Sequence, residues 1–325
     1  MNDWRPSASL EALYARAQLL NDLRMFFAER DVLEVETPIA SRAGVTAPYL
    51  DNFTTQYVGP LAPQGLPLYL QTSPEYAMKR LLAAGSGCIY QLSKVFRNGE
   101  AGRWHNPEFT MLEWYRLGFD HHQLMAEVDD LVQQVLGTEP ARCFSYNEIF
   151  RRYLDINPHQ VSIAELQACA ERAGVAYPLS MSQNNKDEWL QLLMTHVIEP
   201  QLGFDNIPVF ITEFPASQAS LARVQEVDGV WVGERFELYV EGVELANGFH
   251  ELTDVSEQRA RFDADNRQRE QLGLPLVVID EALLGALAHG LPACAGVALG
   301  FDRLLMLQQG FEDISLAISF PMLRA

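Results

Sequence analysis

The sequence predicts an α+β fold: an antiparallel β-sheet flanked by helices, built as a single domain over residues 1–325. Three observations lead there. The stretches 89–116 and 234–252 alternate with period two about turn residues and read as β-hairpins. Amphipathic helical patterns lie towards both ends of the chain, and residues 120–205 carry helical patterns that read as an insertion within the domain. No internal repeat, low-complexity run or long linker divides the sequence.

Composition narrows the function classes. A 325-residue chain that is 48% hydrophobic can bury a large core. Residues 1–30 are charged throughout, and no apolar run approaches the roughly 20 residues needed to cross a membrane. Cys88, Cys143, Cys169 and Cys294 form no CxxC pair, which argues against a zinc site or disulfide framework and fits a reducing cytoplasm. The net charge is −19, from 43 acids against 24 bases, and only Lys79, Lys94 and Lys186 are lysines. Nucleic-acid binding rests on neutralising phosphates, so this balance argues against extensive tRNA contact.

Taken in order, Ser9 caps a helix with apolar positions Leu10, Leu13, Ala17, Leu20, Leu23 and Phe27. It runs into VLEVETP, where Pro38 stops regular pairing. Residues 40–67, rich in Gly, Pro, Ser and Thr, read as strands with loops. After a short strand at 68–72, Ser73 is expected as N-cap, Pro74 as first helical residue and Glu75 in the first turn. Helices are expected at 121–136, at 162–172 (Ser162 and Glu165 forming a capping box) and at 186–198. His121, His122, His159 and His196 lack metal-ligand spacing and read as surface or capping residues. A strand at 208–214 and a hairpin about Glu241-Gly242 follow. Asp254 with Glu257 caps a charged helix over 255–271, Asp280 opens another over 281–289, and Asp302 begins the last helix after a Gly-spaced strand at 296–300.

The chemistry concentrates in KVFRNGEAGRWHNPEFTMLEWYR, 94–116. Phe109, Met111, Glu113 and Tyr115 share one parity on its exit strand, and an ordinary core strand would not line up a carboxylate with them. Arg97 at the loop entrance, with an aromatic ring, a carboxylate and a phenol beyond, suits a ligand carrying a phosphate, a flat base and an amine. The alternative is an amphipathic hairpin whose Glu113 faces water. No GxxxxGK[ST] loop exists, which excludes a P-loop enzyme.

The phrase FRNGEAGRWHNPEFTMLEWY resembles the second signature motif of class II aminoacyl-tRNA synthetases in its lysyl-tRNA synthetase version. FELYVEGVELANGFHEL (236–252) and GVALGFDRLLML (296–307) agree, in the same order along the chain, and the stretch through Pro38 resembles a weaker first motif. The resemblance implies a class II catalytic domain that uses ATP and Mg²⁺. In it Arg97 would hold the α-phosphate and Arg303 the γ-phosphate. Phe109 would stack on adenine, with Asn98, Gly99, Glu100, His105, Asn106, Leu245 and Gly300 around the nucleotide. Glu244 and Glu251 would hold Mg²⁺. Ser73, Pro74, Glu75, Glu113, Tyr115, Asn247, Gly248, Glu251 and Ala298 would surround a basic amino acid. The first helix and strand would form a homodimer interface.

Three departures shift the expected substrate. The lysyl enzymes read Arg-Asn-Glu-Gly where this chain has Arg97-Asn98-Gly99-Glu100, which displaces the glutamate that contacts the adenine amino group. Ala298 stands where their Gly-x-Gly-x-Gly run has its central glycine. The first-motif helix begins almost at the N-terminus, with no anticodon-reading OB fold before it. With these features the chain resembles the elongation factor P–(R)-β-lysine ligases, cytoplasmic enzymes that activate (R)-β-lysine as its adenylate and transfer it to a lysine of elongation factor P. A minimal lysyl-tRNA synthetase-like enzyme, charging tRNA or activating free lysine, is the competing expectation.

Overall fold

A computed structural model describes residues 4–178, 181 and 184–325. The chain builds one compact unit up to Gly118, a second over Phe119–Glu251, and returns to the first from Leu252 to Ala325.

The first pass lays down α1 (Leu10–Ala28), β1 (Leu33–Glu34), β2 (Ala40–Ser41), β3 (Thr54–Gly59), β4 (Ala62–Leu70), α2 (Glu75–Ala83), β5 (Ile89–Phe96) and β6 (Glu108–Leu117). The second unit contains α3 (His121–Leu136), β7 (Arg142–Ser145), α4 (Tyr146–Leu154), α5 (Ile163–Arg172) and α6 (Lys186–Leu193). It continues with β8 (Val209–Pro215), β9 (Val224–Val227), β10 (Val230–Val240) and β11 (Val243–His250). The return pass adds α7 (Val255–Gln271), α8 (Glu281–Gly290), β12 (Cys294–Gly300) and α9 (Phe301–Gln309).

In the first unit β6 is central. It pairs antiparallel with β5 on one side and β12 on the other, and β1 adds to β5 in parallel. A second antiparallel sheet runs β2-β4-β3. The middle strands bury both faces, as Leu112 and Trp114 alternate with Met111, Glu113 and Tyr115 and all five are buried. In the second unit β10 pairs antiparallel with β8, β9 and β11, and β7 joins β8 in parallel. The β10–β11 turn falls at Glu241-Gly242, whose positive φ values of 50° and 75° are those a tight two-residue hairpin turn needs.

Helices α3 and α5 occupy the expected spans with full capping boxes, and Ser9 accepts from the Ala12 amide as the cap of α1. Residues 120–205 are not helical throughout. β7 is four residues long, too short to display period two, and forms only by pairing with β8. The unexpected α4 has a legible start: Ser145 and Glu148 form a capping box, and Tyr146, Ile149 and Phe150 supply its buried face. These side chains join Trp189, Leu193 and Ile211 in the second unit's core.

The last helix begins at Phe301, capped by Gly300, and Asp302 is not an exposed opening residue. It is 1% exposed, accepts from the Thr110 amide at 2.6 Å and pairs with Arg16 Nη1 at 2.5 Å. Arg16 also donates to Thr110 Oγ1 at 2.7 Å and lies over the Phe301 ring. One carboxylate thus ties α1, β6 and α9 together. Arg16→Leu would leave it buried without its counter-charge, so urea unfolding is expected to show a loss of about 3 kcal/mol. A loss under about 1 kcal/mol would place the pin elsewhere.

Candidate active site

Strand register sets the first group of residues. Glu113 on β6 lies opposite Gln91 of β5 and opposite Ala298 of β12, and directly paired residues present their side chains to the same face. Glu113 is 2% exposed, which removes the solvated alternative. Its carboxylate accepts from Ser73 Oγ at 2.6 Å and from the Tyr115 phenol at 2.7 Å. An ionised carboxylate has about four acceptor positions, so two such bonds orient it without filling it. The Ala298 methyl adds bulk beside it on a strand where glycines stand at 296 and 300.

Helix α2 starts one residue later than expected. Glu75 is its first residue and Pro74 occupies the cap, but Ser73 Oγ still accepts from the Glu75 amide at 3.0 Å. Ser73 therefore links the start of α2 to Glu113. Glu75 accepts from Lys79 Nζ at 2.6 Å one turn on, and Lys79 is fully buried. The chain supplies a cation of its own to one of the predicted substrate-binding acids.

The loop between β5 and β6 carries Arg97 and contacts Arg303, the two predicted phosphate-binding groups. Arg97 lies 5.3 Å over the Phe109 ring and 3.8 Å from Glu100, and its buried Nε has no hydrogen-bond partner. Such a guanidinium is held by an aromatic face yet keeps donors for an anion. Asn98 donates to Asp51 at 2.7 Å, and Gly99 takes φ +79°, a conformation that favours glycine. Arg303, in the first turn of α9, donates from Nε to the Trp104 carbonyl at 3.2 Å and meets His105 Nε2 at 2.7 Å. A Cβ on Gly300 would touch Arg303 at 3.5 Å. Asn106 is committed to the fold: it donates to the Glu108 carbonyl and accepts from the Met322 amide, which fastens the loop to the C-terminal segment. Only part of its amide remains for contact with a base.

The second unit holds the remaining predicted residues. Glu244 of β11 pairs across from Tyr239, Asn247 from Glu237 and Gly248 from Phe236, and Leu245 is buried between them. Asn247 accepts from Arg235 Nε at 3.2 Å. Glu251, beyond the end of β11, is 1% exposed and bridges to Ala222. Two further acids, missed in the sequence, are raised in part by the charge of Glu244. Burial first, then Glu244 and Glu237, push Glu199 up to about 8. Burial also pushes Glu237 up, against the Arg235 guanidinium that lowers it, and Glu244 adds to the rise. The Tyr239 phenol donates to Glu237 at 2.5 Å. A signal for Glu237 was present, because Glu237-x-Tyr239 repeats the Glu113-x-Tyr115 spacing. Glu199 lies in a 3₁₀ turn with no such pattern. This all-oxygen set of mutually repelling acids fits a hard divalent cation such as Mg²⁺.

Glu199 makes stability depend on pH with a defined sign. A half-buried acid raised from 4.5 to about 8 stabilises the fold only while protonated. That contribution is full below the unfolded value and is lost as pH rises through the folded one. Unfolding free energy is expected to fall between about pH 5 and pH 8, and Glu199→Gln is expected to flatten that slope. Denaturant titrations at several pH values would measure it, and an unchanged slope in the variant would refute the assignment.

Known proteins resemble this chain along nearly its whole length. The family described as tRNA synthetases class II (D, K and N) matches residues 1–324. An elongation factor P–(R)-β-lysine ligase of Proteus mirabilis is 56% identical over 99% of this chain and 98% of its own. The proteins of the same name from Pectobacterium carotovorum and Edwardsiella ictaluri are each 53% identical, over 99% and 100% of this chain and 98% and 99% of theirs. The chain belongs to the class II tRNA synthetases of the D, K and N type, and within them to the family of the elongation factor P–(R)-β-lysine ligases.

Proposed function

We propose that this chain activates (R)-β-lysine with ATP and transfers it to a lysine side chain of elongation factor P. The observation that carries this reading is 53–56% identity, along nearly the whole length, to ligases of that name. In the first step a carboxylate oxygen of the amino acid attacks the α-phosphorus of ATP. The bond to the β-phosphate oxygen breaks, giving the aminoacyl-adenylate and pyrophosphate. In the second step the acceptor's ε-amine attacks the adenylate carbonyl, an amide forms, AMP leaves and the amine gives up a proton. No covalent enzyme intermediate is required.

Arg97 would stabilise charge on the α-phosphate and Arg303 would hold the γ-phosphate, a reading supported by the partner-free Arg97 Nε and by Arg303's place in a first helical turn. Phe109 would offer its ring to adenine, with Asn98, Gly99, Glu100, His105, Asn106, Leu245 and Gly300 nearby in the nucleotide's shell. Glu113, held by Ser73 and Tyr115, would take an ammonium group, and Glu75 and Glu251 would serve the same cation class. Pro74, Asn247, Gly248 and Ala298 would shape the amino-acid pocket. Glu244 and Glu251 would bind Mg²⁺, with Glu237 and Glu199 as added oxygen donors, and the ion would supply charge neutralisation on ATP phosphates. The one-domain reading of residues 1–325 belongs to the same proposal, supported by a family match that runs through residues 1–324, as does a cytoplasmic location.

Intact-mass measurement of elongation factor P, incubated with the enzyme, Mg-ATP and either lysine isomer, tests the reading, with tRNA charging assayed in parallel. A gain of one lysyl unit, larger with the β isomer and without charged tRNA, is expected; charged tRNA with an unmodified factor would instead identify a minimal synthetase. Arg303→Ala is expected to slow pyrophosphate exchange by at least about 100-fold with an unchanged melting curve. Normal exchange would remove Arg303 from the site.

A homodimer through α1 and β1 is the proposed assembly, supported by the apolar side chains Leu10, Tyr14, Met25 and Leu33, all exposed on these two elements. Sedimentation equilibrium should report twice the chain mass, and Leu10→Glu with Tyr14→Glu should reduce it to one. A monomeric parent protein would end this part of the proposal.

A further inference from the structure

Three metal-ligating side chains outside the acid cluster meet inside the second unit. His121 is the first residue of α3, Glu234 lies on β10 and His250 ends β11. One ligand atom from each lies within 4.8 Å of the others. A tetrahedral zinc ion with bonds of about 2.0–2.2 Å spaces its ligand atoms by roughly 3.3 Å, so small side-chain rotations would close the set.

The backbone holds all three positions. Asp120 and Gln123 form the capping box that starts α3. The Glu234 amide donates to the Arg223 carbonyl at 2.8 Å, and the Arg223 amide donates to the His250 carbonyl at 2.9 Å. Glu234 and His250 continue the β10–β11 register by one step beyond Arg235 and Phe249. On its other edge β10 slips register against β8 between Gly233 and Phe236, the kind of irregularity that re-aims a side chain. His250 Nδ1 stands 2.6 Å from Glu234 Oε2.

His121 supplies the independent observation. It is 4% exposed, and its Nδ1 is buried without a hydrogen-bond partner. Its ring lies nearly parallel to that of His250, 6.5 Å away. A buried imidazole nitrogen left unsatisfied costs free energy, and a metal ion would satisfy it.

We infer that His121, Glu234 and His250 bind one zinc ion per chain, a site separate in ligand chemistry from the oxygen-only acids around Glu244. Two imidazoles and a carboxylate suit a borderline ion and not Mg²⁺. The ion links the start of α3 to the β10–β11 hairpin, and so braces the strand that carries Glu244 and leads directly into Glu251. Arg223 competes for the place: its guanidinium lies 3.7 Å from Glu234 and 3.4 Å from His250 Nε2. With its side chain 48% exposed, it can turn to solvent when the ion enters.

The test uses untagged full-length protein, stripped with chelator and titrated with ZnCl₂ in excess Mg²⁺ by calorimetry, with the melting temperature followed in parallel. Uptake of one zinc per chain and a raised melting temperature are expected. His121→Ala is expected to weaken binding at least about tenfold, and Arg223→Ala, which removes the competing cation, to tighten it. The metal-free melting curve of His121→Ala reports whether that variant folds, and Glu234→Gln replaces it if it does not. No saturable uptake near one per chain, or equal uptake by the parent and the ligand variants, would overturn the site.

Discussion

The buried Asp302 carboxylate is the constraint on which the first unit's chemistry depends. Its two oxygens take the Arg16 guanidinium and the Thr110 amide, so α1, β6 and α9 have only one way to meet. The residues of interest stand one position away on each element: Phe109 precedes Thr110 and Arg303 follows Asp302. A buried ion pair of this kind adds little net stability compared with apolar packing, but a broken one is expensive. Its consequence is positional. Arg303 is delivered to Trp104 and His105 because α9 cannot rotate without stranding Asp302.

The same economy recurs where acids are buried. Glu113 takes a phenol two residues along its own strand, and Glu237 does the same with Tyr239. A phenol on the same face of a strand reaches back to the carboxylate, satisfies one oxygen and leaves the net charge unchanged. Such acids stay available to a cation. The surroundings then differ: Ser73 completes the hold on Glu113, whereas Glu237 shares its place with Arg235, Glu199 and Glu244. A lone oriented carboxylate suits an amine, and a crowd of them suits a divalent ion.

Much of this was legible in the sequence wherever the signal is local. Ser9, Asp254 and the Ser162–Glu165 box mark helix starts because capping is decided within four residues. The β5–β6 and β10–β11 hairpins are visible because turn chemistry and alternation adjoin. Strand β7 was invisible because its existence depends on β8, more than sixty residues away. In the sequence Asp302 reads as a helix opener, because an acid in a first turn ordinarily faces water and nothing near it announces Arg16. His121 reads as surface or capping for the same reason: its neighbours Glu234 and His250 are distant in sequence, and spacing along the chain cannot register a cluster assembled across a helix and two strands.

Ala298 bears on the proposed specificity because the strand register fixes where its methyl stands. Strand β12 presents it opposite Glu113, between Gly296 opposite Tyr115 and Gly300 opposite Met111. The carboxylate itself cannot retreat, since Ser73 and Tyr115 hold both of its oxygens and the strand is buried on both faces. In the proposed pocket, an amine reaching Glu113 would pass a wall that is smooth at 296 and 300 and raised at 298. A methylene of misfit in such a pocket is worth about 1–3 kcal/mol, enough to separate isomers that differ only in where the amine is attached. On the proposed function, discrimination would lie in the fixed acid as much as in the methyl, because a mobile carboxylate would follow either isomer.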